Sequence, residues 1–174
     1  LLYKRIRKEA VRNVDSNLLQ QVYRKYSKEI YAYIFTLCRD RSLTEDLVQE
    51  TFLKAILSLP NAHENVRAWL YMVARNLYFN HAKKTARETG EPDESVKDES
   101  PATEETVISG LMKQELYKAL LTLDGIKREV ILMQYFSEIP QKEIAAILHL
   151  SPENVRVISY RAKKELKKLM EEQG

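Results

Sequence analysis

Residues 141–160 read QKEIAAILHLSPENVRVISY and carry the most specific pattern in this chain of 174 residues. Two helices that cross need apolar residues at the crossing and a small residue where their backbones meet. The small residue is Ala145, and the apolar positions are filled by Ile144, Leu148, Leu150, Val155 and Ile158. Ser151 suits the N-cap of the second helix and Pro152 its first turn. The stretch predicts a helix-turn-helix with His149 at the turn, where glycine is more usual.

The second helix of this motif projects its polar side chains outward, because Val155 and Ile158 face inward. The outward side chains are Ser151, Glu153, Asn154, Arg156, Val157 and Tyr160. A recognition helix carries side chains of this kind into a DNA major groove. Cations suited to phosphates follow, namely Arg161, Lys163, Lys164, Lys167 and Lys168. The alternative is a plain helical hairpin with solvated lysines, and the matched positions together with the charge favour DNA binding.

Composition favours helices, since 44% of residues are hydrophobic, 30% are charged, and only four glycines and five prolines occur. A single cysteine excludes an internal disulfide and a Cys-rich zinc site. Three scattered histidines give a metal site little to build on, so we expect no metal and no cofactor. No apolar run approaches the roughly 18 residues that span a bilayer. With no signal-peptide pattern at the start, these features predict a cytoplasmic protein.

The net charge of +3 is unevenly distributed. Residues 88–106 hold eight acidic side chains and one lysine, so the remainder of the chain is strongly basic. This acidic stretch has no apolar periodicity and cannot bury enough surface to offset chain entropy, which predicts a flexible linker. We therefore predict an all-α chain of two small helical domains, at residues 1–86 and 107–174, joined by an acidic linker at 87–106.

Three helices are predicted in the first domain, each with one buried face. Apolar residues from Leu19 to Leu37 recur at three- and four-residue steps. Ser42 and Glu45 have the spacing of a capping box that opens the second helix. A polar connection then leads into a third helix from about Val66 to Lys84.

The third helix interleaves aromatic and basic side chains opposite its core stripe. The aromatic residues are Trp69, Tyr71, Tyr78 and Phe79, and the basic residues are Arg67, Arg75, Lys83 and Lys84. Single-stranded bases stack on such platforms, and Asn76 and Asn80, one turn apart, have the chemistry to contact base edges. Aromatic residues at helical spacing also occur in cores, so both interpretations stay open.

On the second helix, Asp46, Gln49 and Glu50 share a polar face that suits either a partner's arginines or plain solvent.

Three runs together resemble a bacterial RNA polymerase sigma factor of the extracytoplasmic-function type in the sigma-70 family. They are TEDLVQETFLKA (44–55), VRAWLYMVARNLYFNHAKK (66–84) and LTLDGIKREVILMQYFSEIPQKEIAAILHLSPENVRVISYRAKKEL (121–166). Such proteins retain a sigma-2 domain and a sigma-4 domain, which matches the two predicted domains. Where the family commonly has proline in the sigma-4 motif, this chain has Asp124.

The resemblance implies a role for each candidate surface. Asp46, Gln49 and Glu50 are expected to contact the clamp helices of the polymerase β′ subunit. The third helix and the 60–65 loop are expected to recognise and open the −10 element. On that helix the expected contacts are Arg67, Trp69, Tyr71, Arg75, Asn76, Phe79, Asn80, Lys83 and Lys84. The −35 element is expected to contact Ser151, Glu153, Asn154, Arg156, Val157, Tyr160, Arg161 and Lys164.

The sequence therefore predicts a transcription initiation factor and not an enzyme, because no catalytic set stands at a plausible spacing. The resemblance implies core RNA polymerase, through β′ and the β flap, and promoter DNA as partners, and no small-molecule substrate. It also implies an anti-sigma factor that occludes these surfaces and that can hold the chain at the membrane. An alternative is a helix-turn-helix regulator whose first domain dimerises or senses a signal. A third is an interaction protein held by a partner without acting on DNA.

Overall fold

The computed structural model describes residues 16–58, 65–90 and 113–173, which form seven α-helices and one π-helical turn. The helices are α1 (Ser16–Cys38), α2 (Arg41–Ser58), α3 (Val66–Thr89), α4 (Gln114–Thr122), α5 (Gly125–Ile131), α6 (Gln141–Leu148) and α7 (Pro152–Gln173). The π-helical turn Leu132–Phe136 continues α5. No strand occurs in this part of the chain, which confirms the predicted all-α class. Residues 91–106 of the predicted linker lie outside the described residues, as do residues 60–64 of the predicted −10 loop, whereas residues 87–90 of that linker form the end of α3 and its cap.

Helices α1, α2 and α3 pack against one another as a bundle, which we call the N-terminal half. Ile30 and Ile34 of α1 are fully buried, as the periodicity predicts, whereas Tyr23 on the same predicted face is 47% exposed. On α1 the buried surface also includes Tyr33, which lies outside the predicted stripe. A second set of residues must therefore cover the C-terminal end of α1.

The start of α2 differs from the prediction. Asp40 is its N-cap, because Asp40 Oδ1 accepts a hydrogen bond from the Leu43 amide at 2.9 Å. The predicted capping box of Ser42 and Glu45 is therefore wrong. Glu45 instead pairs with the Arg41 guanidinium at 2.9 Å, one helical turn away.

Helix α3 begins where Asn65 Oδ1 accepts a hydrogen bond from the Ala68 amide at 3.0 Å. It continues beyond the predicted end near Lys84 to Thr89, and Gly90 terminates it in a left-handed conformation with φ of 70°. Glycine adopts this conformation without the steric cost that a Cβ atom brings. The helix of 24 residues consequently has nearly seven turns.

The C-terminal half consists of α4–α7, with α7 packed against α4, α5 and α6. Asp124 caps α5, since its Oδ1 accepts a hydrogen bond from the Lys127 amide at 3.0 Å. The Arg128 guanidinium donates to the carbonyls of Leu120, Leu121 and Leu123 at 2.8–3.0 Å. These carbonyls lie at the end of α4, where a helix leaves its acceptors unsatisfied, so Arg128 holds the α4–α5 corner together.

Candidate nucleic-acid interface

Helices α6 and α7 form the predicted helix-turn-helix. Ile144 and Val155 are fully buried at the crossing, and Ala145 is 3% exposed where the backbones meet. His149 adopts the left-handed conformation at the turn, with φ of 55° and ψ of 42°. Ser151 Oγ accepts a hydrogen bond from the Asn154 amide at 3.2 Å, so Ser151 caps α7 as predicted. The buried contacts fix the rotation of α7 about its axis and therefore decide which side chains face solvent.

The predicted outward orientation of α7 is confirmed. All eight candidate −35 side chains are exposed: Ser151, Glu153, Asn154, Arg156, Val157, Tyr160, Arg161 and Lys164. Tyr160 is 66% exposed and Val157 is 45% exposed, so both present apolar surface to solvent on this face. The surface combines a guanidinium, an amide, hydroxyls and an apolar group, the chemistry that distinguishes base pairs in a major groove.

Farther along α7 the cationic side chains are partly engaged. Lys167 pairs with Glu171 at 3.8 Å and Lys168 with Glu172 at 3.7 Å. Both pairs are largely exposed, so they cost little to exchange for phosphate contacts. Lys163 lies 5.3 Å from the centre of the Tyr135 ring in the π-helical turn.

Helix α3 has one exposed face toward its C-terminal end. The candidate −10 residues on this face are Asn76, Phe79, Asn80, Lys83 and Lys84. Phe79 is 42% exposed, and the Arg75 guanidinium lies 4.5 Å from its ring centre. A ring and a planar guanidinium side by side offer two surfaces on which an unpaired base can stack.

The other candidate −10 residues lie closer to the core. Trp69, Arg67 and Arg75 are half-buried, and Tyr71 is only 2% exposed. The prediction that Tyr71 lies opposite the core stripe is wrong, because its ring packs against Tyr33 with centroids 4.7 Å apart. The periodicity identified one buried face of α3, and the C-terminal half covers a second.

Glu129 of α5 is one of the residues that join the two halves, and it was not predicted from sequence. Its side chain is 4% exposed, and it accepts a hydrogen bond from the Arg75 Nε at 2.8 Å. It also accepts one from the Tyr33 hydroxyl at 2.7 Å. Burial, and then the negative charge of Glu129, raise the pKa of Tyr33 well above its ordinary value, so the phenol remains a proton donor. No local pattern signals this role, because Glu129 follows two other charged residues, Lys127 and Arg128, on a short helix.

Ser137 forms a second contact between the halves. Its hydroxyl is hydrogen-bonded to the Tyr71 hydroxyl, and its backbone carbonyl accepts from Arg67 Nη1 at 3.0 Å. Arg67 also donates to Glu29 of α1 at 3.0 Å. Burial raises the pKa of Glu29 despite the opposing charge of Arg67. Two candidate −10 residues are therefore held by groups within the protein itself.

The polar face of α2 is open to solvent. Asp46, Gln49 and Glu50 are all exposed, whereas the adjacent Leu47 and Val48 are buried. Glu50 has a long, exposed contact of 3.9 Å with Lys54. An apolar depression adjoins this face, lined by Leu19, Tyr23, Gln49, Phe52 and Leu53. Acidic groups beside an apolar depression suit a basic, partly apolar protein surface.

Other kinds of site find little support in the described residues. Within them, no group of three or more His, Cys, Asp or Glu side chains is arranged to hold a metal ion. Cys38 is buried, its sulfur lies 3.1 Å from Thr44 Oγ1, and burial raises the pKa of its thiol. None of the helices in this part of the chain combines the length and apolar character needed to cross a bilayer.

Comparison with known proteins identifies two matching family profiles. Sigma-70 region 2 matches residues 22–88, and Sigma-70 region 4 matches residues 113–166. The RNA polymerase sigma factor YlaC of Bacillus subtilis is 30% identical over 158 residues, covering 87% of this chain and 91% of that protein. The ECF RNA polymerase sigma factor SigM of the same organism is 28% identical over 161 residues, which cover 87% of this chain and 94% of that protein.

A solved structure has a similar fold. The sigma factor RpoE of Bartonella quintana, crystallised with the anti-sigma factor NepR, superposes with a TM-score of 0.69 at 26% identity. The match covers 87% of this chain and 96% of that one.

Proposed function

The chain belongs to the extracytoplasmic-function type of the sigma-70 family of RNA polymerase sigma factors, and we propose that it directs core RNA polymerase to promoters. The observation that carries this proposal is the exposed face of α7 on a rigid helix-turn-helix, where Arg156, Val157 and Tyr160 face solvent. Such a protein acts by binding, and the proposal gives it no catalytic step.

We assign recognition of the −35 duplex to α7. An arginine such as Arg156 donates two hydrogen bonds to guanine, and an amide such as that of Asn154 pairs with adenine. The methyl groups of Val157 suit the methyl group of thymine. Arg161 and Lys164 lie beyond this group on exposed positions of the same helix and would contact phosphates, which position the helix without specifying sequence.

We assign the −10 strand to α3. Phe79, Asn76 and Asn80 are exposed and suit stacking and base-edge contacts, while Lys83 and Lys84 suit the backbone. Trp69, Tyr71, Arg67 and Arg75 would join them once the C-terminal half has moved away, since those four side chains are partly or fully covered. Opening a duplex needs such a platform, because an extruded base must be held outside the stack.

Core polymerase is the proposed partner of the α2 face, through Asp46, Gln49 and Glu50 at the β′ clamp helices, and the C-terminal half would meet the β flap. An anti-sigma factor is a further proposed partner, because RpoE of Bartonella quintana crystallised with one. We place the protein in the cytoplasm, where polymerase and promoter are found.

Binding to purified sigma-free core polymerase tests the proposal. The chain should co-elute with core polymerase, and the double variant Asp46→Lys, Glu50→Lys should not, because the reversed charges repel a basic partner. Glu88→Lys changes charge at an exposed position near the end of α3, outside both proposed polymerase surfaces, and serves as the control that should still bind. A chain that ignores polymerase and instead shifts duplex DNA as a homodimer would be a helix-turn-helix regulator.

A further inference from the structure

We propose that residues 1–15, which we call the N-terminal segment, fold back along α1 into the apolar depression between α1 and α2 and cover the α2 face. This inference rests on the proposed function, since it takes the α2 face as the contact for core polymerase. The proposed occupant of the depression is a part of this chain that lies outside the described residues.

The depression exposes apolar surface to solvent. Tyr23 is 47% exposed and Leu53 is 39% exposed, although the Tyr23 ring packs edge-on against Phe52 with centroids 4.9 Å apart. Leu19 of α1 completes the apolar lining. Covering these side chains removes apolar area from water, which is favourable. The depression therefore suits a segment with apolar side chains of its own.

The N-terminal segment combines apolar and basic side chains. Its apolar residues Tyr3, Ile6, Ala10 and Val14 recur at three- and four-residue steps, the spacing of one helical face. Five basic and two acidic side chains give it a net positive charge. The basic ones are Lys4, Arg5, Arg7, Lys8 and Arg12. The segment thus offers an apolar stripe together with positive charge.

The α2 face supplies the complementary negative charge beside the depression. Gln49 belongs to both surfaces, because it lines the depression and lies between Asp46 and Glu50 in the α2 face. The contact of Glu50 with Lys54 is exposed and 3.9 Å long, so it costs little to exchange for another cation. A segment seated in the depression would bring its basic side chains beside these carboxylates and cover Gln49.

The connection to α1 is short enough for this arrangement. Helix α1 begins at Ser16, and the depression begins at Leu19, less than one turn farther along the helix. Tyr23 lies about 10 Å from Ser16 along the helix axis, whereas residues 1–12 would span about 18 Å even as a helix. The segment is therefore long enough to follow the depression over its whole length.

A chain reversal immediately before α1 would seat the segment. Asn13 and Asp15 precede the helix, and both residue types favour turns. With the reversal at residues 13–15, an antiparallel path brings Ala10 beside Gln20 and Ile6 beside Tyr23. This pairing defines a contact that can be tested directly.

The covered form should be reversible. Exposed ion pairs are worth about 0–1 kcal/mol each, so the segment is held mainly by its few apolar contacts. A partner that binds the uncovered α2 face shifts the population toward the uncovered form. The segment would then lower the apparent affinity for core polymerase in proportion to the fraction of covered chains.

Paired cysteines in the full chain test where the segment lies. Ala10→Cys is combined with either Gln20→Cys or Gln21→Cys, in a Cys38→Ser background that removes the native thiol. Both glutamines are exposed, but Gln20 lines the depression, whereas Gln21 lies on another face of α1 and contacts Asn17 at 3.4 Å. A disulfide needs Cβ atoms about 3.5–4.5 Å apart, so oxidation within the chain should be at least about tenfold faster with Gln20→Cys.

Two further measurements use the same chains. Ile6→Ser should bring the two oxidation rates together, because it removes an apolar group from the contact. The oxidised chain with Ala10→Cys and Gln20→Cys should bind purified sigma-free core polymerase at least about tenfold more weakly than the same chain after reduction. If Cys38→Ser does not fold by circular dichroism, Cys38 is retained, because burial raises the pKa of its thiol and slows its oxidation.

Three results would overturn the proposal. Equal oxidation rates for the Gln20 and Gln21 pairs would mean that the segment is tethered but not docked. Disulfides between molecules in place of those within the chain would assign the depression to a second copy. Equal affinity of the oxidised and reduced chains for core polymerase would mean that the segment leaves the α2 face uncovered. Failure of the proposed function is separate: it appears as native chain that does not bind core polymerase, whatever the oxidation rates are.

Discussion

Arg75 and Glu129 are 54 residues apart in sequence, and their side chains meet at 2.8 Å. The pair joins α3, the proposed −10 helix, to α5, which supports the helix-turn-helix. Only 17% of the Arg75 side chain and 4% of the Glu129 side chain are exposed, so neither charge is well solvated. This desolvated ion pair is thus one of several contacts that join the helix proposed for −10 DNA to the half that carries the helix-turn-helix.

Removing one member of this pair should be costly. Arg75→Met leaves Glu129 buried without its cation, and we expect a loss of about 3–5 kcal/mol in the free energy of unfolding. Urea denaturation measures it. The double variant Arg75→Met, Glu129→Gln should recover much of the loss, because no uncompensated charge remains. Additive losses from the two single variants would show that the residues do not interact.

Arg156 should carry much of the duplex affinity. Arg156→Ala should weaken binding to a −35 duplex by about 1–3 kcal/mol and relax sequence preference at one position. Arg24→Ala removes the same charge from an exposed position in the other half and is the matched control. Electrophoretic mobility shifts at fixed salt compare them. Equal losses in both variants would mean that only net charge matters.

His149 is strained by its left-handed conformation, which costs a residue with a Cβ atom about 1–2 kcal/mol. His149→Gly should therefore raise the melting temperature slightly, by the equivalent of about 0.5–1 kcal/mol once the flexibility of glycine in the unfolded chain is subtracted. His149→Ala removes the same exposed imidazole and keeps the Cβ atom, so it should not stabilise. A thermal melt that ranks alanine above glycine would contradict this explanation.

Asp124 should give a pH-dependent contribution. Slight burial raises its pKa, but hydrogen bonds from the Lys127 amide and ammonium outweigh this, so the pKa lies below the ordinary 3.8. A carboxylate with a lowered pKa stabilises the folded state above its unfolded pKa, and the contribution is lost as pH falls through the folded pKa.

Asp124→Ala should cost about 1 kcal/mol at neutral pH through loss of the cap. Asp124→Asn retains a capping acceptor without a titratable group, so its stability should depend less on pH below about 4 than that of the native chain. Urea titrations across pH measure both. Identical acid profiles for the Asp124→Asn variant and the native chain would exclude a contribution from the ionised cap.

Local patterns predicted much of this molecule. The helix-turn-helix followed from residues that bury each other within one short segment, such as Ile144 and Val155. The exposed face of α7 was predicted in the same way, because the burial of Val155 fixes how the helix is rotated about its axis. The start of α2 was misplaced because Asp40 and Ser42 are both good caps, and only the backbone path decides between them.

Contacts between distant segments were not predictable in the same way. Helical periodicity reports which face is apolar, but Tyr71 has a hydroxyl end that suits either solvent or a polar partner. Its burial depends on Ser137, 66 residues away. Glu129 was missed for a related reason, since a charged residue on a helix indicates solvent unless its buried partners are known.

The most direct test of the central claim is run-off transcription on sheared genomic DNA with purified, sigma-free bacterial core polymerase. Discrete transcripts should appear only when this chain is added, and the DNA upstream of their start sites should share two short elements, one for α3 and one for α7. Transcripts that are the same with and without the chain would contradict its assignment as an initiation factor.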